Sequence, residues 1–268
     1  MRNILIGAVT FNAPLGEIDA NLEKMISLVR EAKSNNAELI CFPEMCITGY
    51  CSDGSAKNHA LNINNSVFEK LQSVSTELEI VILAGFTEKD NGGKIYASHI
   101  VISPLNKSQV YRKVYIAPPE KKTYTAAGTV PVFEIDGFCF GIQLCYDAHF
   151  PELSTFMTEK GVDAIFIPHA SPRLTPGEKY DSWMRHLPAR AFDNSIYIIA
   201  CNQNGDNCNG LNFPGVSIII DPSGKVVGRD ISGQDSILYA HLYKDALENV
   251  RGHKMKYFFP NRRKSLYL

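Results

Sequence analysis

Three side chains draw attention because each ends an apolar run and each is suited to a different part of one reaction. Cys145 closes "GIQLC", Glu44 follows "ELICFP", and Lys113 lies in "QVYRKVYI". A thiol attacks only as its thiolate, so a functional cysteine needs a base or a field that favours the anion. A glutamate can take the proton, and an ammonium can hold the charge that develops on a carbonyl oxygen. Base, nucleophile and electrostatic stabiliser are the minimum set for acyl transfer through a covalent intermediate. Cys145 runs directly into "YDAHFPEL", which reads as a helix start. Peptide N–H groups and the positive end of a helix dipole are therefore expected to favour the thiolate, with the Tyr146 backbone N–H as a second oxyanion donor. Taken singly, each residue has an ordinary alternative: a packed thiol, a surface acid, an exposed strand lysine.

The elements that must position them follow from hydrophobic periodicity. "NILIGAVTF" (3–11) reads as a strand, and "DANLEKMISLVREAK" (19–33) as a helix with Leu22, Met25, Ile26 and Val29 on one face and Asp19 as N-cap. "ELICF" (38–42) is a buried strand, "SVFEKLQSVSTELE" (66–79) a second amphipathic helix, and "IVILAGF" (80–86) the strand it leads into. "KIYASHIVIS" and "SQVYRKVYI" follow as alternating strands. After Pro131 the pattern restarts: "VFEI" and "FCFGIQL" flank an Asp136–Gly137 turn, "PELSTFMTEKG" is helical, and "VDAIFIP" (162–168) is a buried strand. "TPGEKYDSWMRHLPARAFDN" opens with a capping box from Thr175 to Glu178 and Pro176 at the first helical position, while Pro188 predicts a kink or an early end. "SIYIIACNQ", "GVSIIID" and "KVVGR" close the second sheet.

Two similar halves predict an α/β protein with two mixed sheets, each covered on its outer side by helices: a four-layer α-β-β-α sandwich. No linker or low-complexity tract divides the chain, so one domain is expected over 1–268, with 250–268 as a C-terminal tail. Sites in open α/β sheets form beyond the carboxyl ends of strands, so residues 44, 113 and 145 are expected to converge there.

Composition is that of an ordinary globular protein, 45% hydrophobic and 21% charged over 268 residues. A formal net charge of −1 supplies no basic stripe for nucleic acid. Seven cysteines, at 41, 46, 51, 139, 145, 201 and 208, lack disulfide-scaffold spacing and fit a reducing cytoplasm. Cys41, Cys46 and Cys51 lie five apart, without the close pairs of structural zinc, so no metal site is expected. No apolar run is long enough to span a bilayer, and no membrane association is expected.

"FPEMCITGY", "YRKVY" and "CYDAHFPE", in this order and across nearly the whole chain, resemble the glutamate, lysine and cysteine motifs of the nitrilase superfamily of carbon–nitrogen hydrolases. The resemblance implies Glu44 as general base, Lys113 as oxyanion stabiliser and Cys145 as nucleophile. It also implies a second glutamate, matched here by Glu120 in "EKKTYTAAG" ahead of Tyr124 and Gly128, that orients Lys113 or the substrate amide. True nitrile hydrolysers usually carry tryptophan and glutamate after the cysteine, whereas this chain has Tyr146 and Asp147. That resembles the amidase and carbamoylase branches. The expected reaction is hydrolysis of a small primary amide to acid and ammonia through a thioester. The alternative is an N-carbamoyl amine, releasing ammonia and carbon dioxide; nitrile hydrolysis and a catalytically silent binding module rank behind. No cofactor is implied. His149, His169 and Arg173, together with Trp183 and Arg185, follow strand ends or enter a helix and are candidates to bind a carboxylate or polar tail of the substrate. Asp147 and Glu152 are assigned structural work. The resemblance further implies a homodimer or higher homo-oligomer, with "RGHKMKYFFPNRRKSLYL" suited to a docking tail.

Overall fold

Alternation of side chains along short apolar strands builds two cores at once, because residues i and i+2 face one layer and i+1 the other. The computed structural model describes residues 1–263. The strands are β1 (Ile4–Thr10), β2 (Leu39–Cys41), β3 (Val81–Lys89), β4 (Ile95–Ile102), β5 (Gln109–Arg112), β6 (Phe133–Ile135), β7 (Phe138–Ile142), β8 (Ala164–His169), β9 (Tyr197–Asn202), β10 (Asn204–Asp206), β11 (Asn212–Pro214), β12 (Ser217–Ile220), β13 (Val226–Asp230) and β14 (Ser236–Leu242). The helices are α1 (Ile18–Ser34), α2 (Ser66–Leu78), α3 (Pro151–Glu159), α4 (Pro176–Met184), α5 (Leu187–Asn194) and α6 (Lys244–Arg251).

One six-stranded sheet runs β14-β1-β2-β3-β4-β5 and the other β13-β12-β9-β8-β7-β6. In each, three central strands are parallel and joined through helices, and the outer strands are antiparallel. The fold is thus α/β with two mixed sheets flanked by helices, as the periodicity predicts. In β2 and the segment after it, Ile40 and Phe42 join Leu22, Met25, Val29 and Phe68 in the core under α1 and α2. Leu39 and Cys41 point the other way, into the core shared with the second sheet. There the Cys201 thiol lies 3.7 Å from the Cys41 carbonyl.

Local chemistry explains most boundaries. Asp136 and Gly137 both take positive φ (48° and 75°), the geometry that a two-residue hairpin between β6 and β7 requires. The Thr175 hydroxyl accepts from the Glu178 N–H, and the Glu178 carboxylate accepts from the Thr175 N–H, which closes the predicted capping box of α4. Pro188 ends that helix early: α4 stops at Met184 and α5 starts at Leu187. Two expectations need correction. Helix α1 begins at Ile18 with Asp19 inside its first turn, because the tight turn at Gly16 (φ 79°) starts the helix before Asp19 can cap it. The second half does not end with β13: β14 returns to pair with β1 along its whole length, so the chain's last strand completes the first sheet. Of the tail, Phe259–Asn261 form a single turn, and Arg262 donates to the Asp193 carbonyl of α5. Residues 264–268 lie outside the described residues. Among the described residues no helix is long and apolar enough to cross a membrane.

Candidate active site

The segments that follow β2, β5, β7 and β8 meet at one end of the two sheets, at the carboxyl ends of these strands. Glu44 lies three residues past β2 in a loop that sits directly on β3. Gly85 permits this approach, since a Cβ there would fall 2.3 Å from the Met45 nitrogen. The Gln203 side chain donates to the Glu44 carbonyl at 2.8 Å and fixes the loop from the other sheet. The Glu44 carboxylate divides its work. Oε1 accepts from the Lys113 Nζ at 2.8 Å, and Oε2 accepts from the Ala170 N–H at 3.0 Å, just beyond β8.

Lys113 continues the extended backbone of β5, its N–H donating to the Ala97 carbonyl. Its ammonium is buried between two carboxylates, donating to Glu44 and, at 2.9 Å, to Glu120 Oε2. Glu120 ends a one-turn segment, Pro118–Glu120, and is buried, with Tyr50 Oη donating to its Oε1 at 3.0 Å. Glu120 thus faces into the protein, while Lys121 and Lys122 after it are exposed.

Cys145 opens a one-turn helix, Cys145–His149, and takes a positive φ of 42°, a strained conformation for a residue with a Cβ. Asp147 holds this turn in place. Its buried carboxylate accepts from the Leu144 N–H (2.9 Å), the Tyr115 N–H (2.7 Å) and Tyr111 Oη (2.8 Å). Tyr111 and Lys113 lie two apart on β5 and its extension and so share a face. "YRKVY" and "CYD" are thereby joined: one strand face carries both the ammonium and the anchor of the cysteine turn. The structural reading of Asp147 agrees with these contacts.

Electrostatics separate the groups. Burial raises the Glu44 carboxyl, partly offset by Lys113, to about 7. Burial and the neighbouring Glu44 push the Cys145 thiol up to about 12, against the opposing pull of Lys113. The segment that follows Cys145 is a single short turn, and desolvation and two nearby carboxylates oppose the thiolate that a helix end would favour. Burial alone would lower Lys113, but Glu44 and Glu120 hold it well above its ordinary value, as a cation. A cavity of about 460 Å³ is lined by Val114, Tyr115, Lys121, Tyr124, Tyr146 and Phe150, residues that neighbour Lys113 and Cys145 in the chain.

The remaining predicted residues divide. His169 is buried, its Nδ1 donating to the Ile167 carbonyl at 2.7 Å, which leaves Nε2 as acceptor; its ring packs on Trp183 at 4.5 Å. His149 is exposed and stacks on His186 at 4.6 Å. Arg173 is exposed on the loop before α4, and its backbone, at φ 67°, bonds to Asn212. Sequence reasoning passed over Tyr50, Tyr111 and Lys179. The spacing of Tyr111 to Lys113 carried a signal; Tyr50 carried none. Lys179 and Trp183 lie four apart on α4, and both are buried, so they share one inward face.

This arrangement matches the fold and motif order expected of carbon–nitrogen hydrolases, and comparison with known proteins agrees. The family model described as carbon–nitrogen hydrolase matches residues 5–251. A probable nitrilase of Schizosaccharomyces pombe is 29% identical over 270 residues, covering 98% of this chain and 96% of its own. A deaminated glutathione amidase of Synechocystis sp. is 30% identical over 247 residues, covering 86% of this chain and 89% of its own. Among solved structures, Nit3 of Saccharomyces cerevisiae, a member of branch 10 of the nitrilase superfamily, has a TM-score of 0.85 at 23% identity and covers 94% of each chain. The chain belongs to the carbon–nitrogen hydrolase family of the nitrilase superfamily. It is an enzyme that hydrolyses carbon–nitrogen bonds in amides.

Proposed function

We propose that the protein cleaves a small primary amide to its acid and ammonia through a thioester on Cys145. The observation that carries this reading is the buried Glu44–Lys113–Glu120 cluster beside the strained cysteine turn. Cys145 rests as a thiol. As its sulfur attacks the amide carbon, Glu44 takes the thiol proton, a transfer suited to a carboxylate whose proton affinity is raised to about 7. Lys113 and the Tyr146 N–H stabilise the tetrahedral oxyanion. Glu120, itself fixed by Tyr50, is a positioning residue that aims the ammonium. Collapse of the intermediate passes the proton from Glu44 to the leaving nitrogen, and ammonia departs. Glu44 then deprotonates water, which attacks the thioester, releases the acid and restores the thiol.

Tyr146 and Asp147 after the nucleophile support the amide over the nitrile. Asp147 is fully committed to three donors that shape the turn. The reading keeps His149, His169 and Arg173 as candidates to contact the substrate. Seven free cysteines support a reducing cytoplasmic setting. Exposed Phe156 on α3 and Phe192 on α5 support a homodimer through these helices.

The test is ammonia release from a panel of primary amides, N-carbamoyl amines and nitriles, with Cys145→Ala as blank. Turnover of amides, background from nitriles and an acyl adduct on Cys145 by intact mass are expected. Equal turnover by Cys145→Ala, or label on another thiol, overturns the covalent route.

A further inference from the structure

Gln203 lies between β9 and β10 and is fully buried, yet its side chain is only half used. Its Nε2 donates to the main-chain carbonyl of Glu44 at 2.8 Å, whereas Oε1 has no partner among the described residues. The acceptor dictates this orientation, since a carbonyl can be bonded only by the N–H end of an amide. An unpaired buried oxygen is destabilising, and a leucine in the same place would avoid it. The amide is therefore there for its donor, and the donor is aimed at the residue that carries the base.

The main chain of Gln203 reaches Glu44 by a second route. Its N–H donates to the His169 carbonyl at 3.3 Å, and the other end of that same peptide unit, the Ala170 N–H, donates to Glu44 Oε2 at 3.0 Å. The bonds close a ring that runs from the Gln203 amide to the Glu44 main chain, from the Glu44 carboxylate to the His169–Ala170 peptide, and from that peptide back to Gln203. Neighbouring groups hold the ring still. The Gly215 N–H donates to the Gln203 carbonyl at 3.0 Å. Asn202 grips Ser171, just past Ala170, accepting from its N–H at 2.9 Å and donating to its carbonyl at 3.0 Å. Beside Glu44, Met45 takes a φ of 55°, so this loop is bent into a conformation that needs support from its surroundings. One residue of the second sheet thus fixes both the backbone and the carboxylate of Glu44.

We propose that Gln203 is the positioning residue of the general base, holding the Glu44 carboxylate on the Ala170 N–H so that its other oxygen stays on Lys113. The inference rests on the amidase reading above and adds to it the group that aims the base. Burial raises the Glu44 carboxyl and the Ala170 N–H works against that rise, so a loosened ring leaves the carboxyl above its value of about 7. The titratable groups facing Glu44 are Lys113 from the extension of β5, Glu120 from its turn, Cys145 after β7, Tyr50 from the loop of Glu44 itself, and Tyr124. Gln203 carries no charge, so a shift on replacing it reports altered geometry and not a lost charge.

The experiment is Gln203→Met, which keeps the length of the side chain and removes the donor. On the best primary amide, kcat/KM near neutral pH is expected to fall roughly tenfold to a hundredfold, mostly in kcat, because the base is misplaced while the substrate still binds. The rise of kcat/KM with pH moves up by at least about half a pH unit. A residue that merely filled space would lower the unfolding temperature and leave that profile where it is. Gln203→Asn, whose amide is one methylene too short to reach the Glu44 carbonyl, moves the profile in the same direction and serves if the methionine variant does not fold. A profile unmoved in both, or activity within about twofold of wild type, overturns the proposal. A second measurement needs no turnover. In Cys145→Ala protein, the infrared stretch of the protonated Glu44 carboxyl, assigned by its loss in Cys145→Ala/Glu44→Gln, is followed against pH with and without Gln203→Met. A higher midpoint with Gln203→Met supports the positioning role even where no amide is turned over, an outcome that overturns only the amidase reading. An unchanged midpoint overturns the positioning role even where amides are cleaved.

Discussion

Arg112 and Lys113 are adjacent in the chain and have opposite fates. Arg112 points to one side of β5, where its fork meets a single carboxylate: Nε donates to Glu88 Oε2 at 2.8 Å and Nη2 to Oε1 at 2.6 Å, with the guanidinium 4.3 Å from the Tyr96 ring centroid. Its side chain keeps 38% of its surface exposed. Lys113 points to the other side and keeps 1%, between two carboxylates contributed by different segments. The planar fork is satisfied by one bidentate partner and holds β5 to β3. The compact ammonium needs several partners, and those available have their own unequal surroundings. The lesson is that a strand's two faces can turn neighbouring bases into a clamp and a charge-holding site, and that burial on one face produces the raised Glu44 carboxyl.

The strongest way to break this contrast is Lys113→Met. It removes the proposed oxyanion contact and leaves two buried carboxylates facing each other, so kcat/KM on the best amide is expected to fall by roughly a thousandfold or more. Retention of more than about a tenth of wild-type activity would return Lys113 to the role of a structural cation. The next effect is in pH. Glu44 must be ionised to accept the thiol proton, and its carboxyl is raised to about 7. Protonation below that pH removes the base, so kcat/KM rises with pH and levels off just above about 7. The thiol, held up at about 12, adds no ionisation in this window. A profile already flat from about pH 5 would show that Glu44 is not the group being titrated. The smallest effect falls on the other face. Arg112→Gln leaves the nearly buried Glu88 carboxylate with the Ser98 hydroxyl, at a cost of roughly 1–3 kcal/mol, nearer the low end because the guanidinium is solvent-screened. Thermal unfolding then shifts by a few degrees, and kcat/KM stays within about twofold. A hundredfold loss of activity in Arg112→Gln would erase the distinction between the faces.

Much of the site was legible because it obeys local rules. Strand ends announced Glu44, Lys113 and Cys145, and the order of their motifs announced the family. The capping box at Thr175 and the Asp136–Gly137 hairpin depend only on residues a few positions apart. The start of α1 did not follow its expected cap, because a glycine turn before it had already set the helix. The last strand was not read at all. "SILYAHL" finds its place only because β1 leaves an open edge, more than two hundred positions away in the chain, along which it can pair.

By itself the sequence determined which residues could do chemistry, which faces of helices and strands are apolar, and hence two helix-covered sheets. Those properties belong to single segments and their periodicity. Only the tertiary structure decided that Glu120 is buried against Lys113, and that burial and nearby carboxylates raise the Cys145 thiol. It also decided that Lys179 is buried against the Ser171 hydroxyl. Proton affinity and counter-charge depend on desolvation and on neighbours from distant strands, and neither exists until those strands have packed.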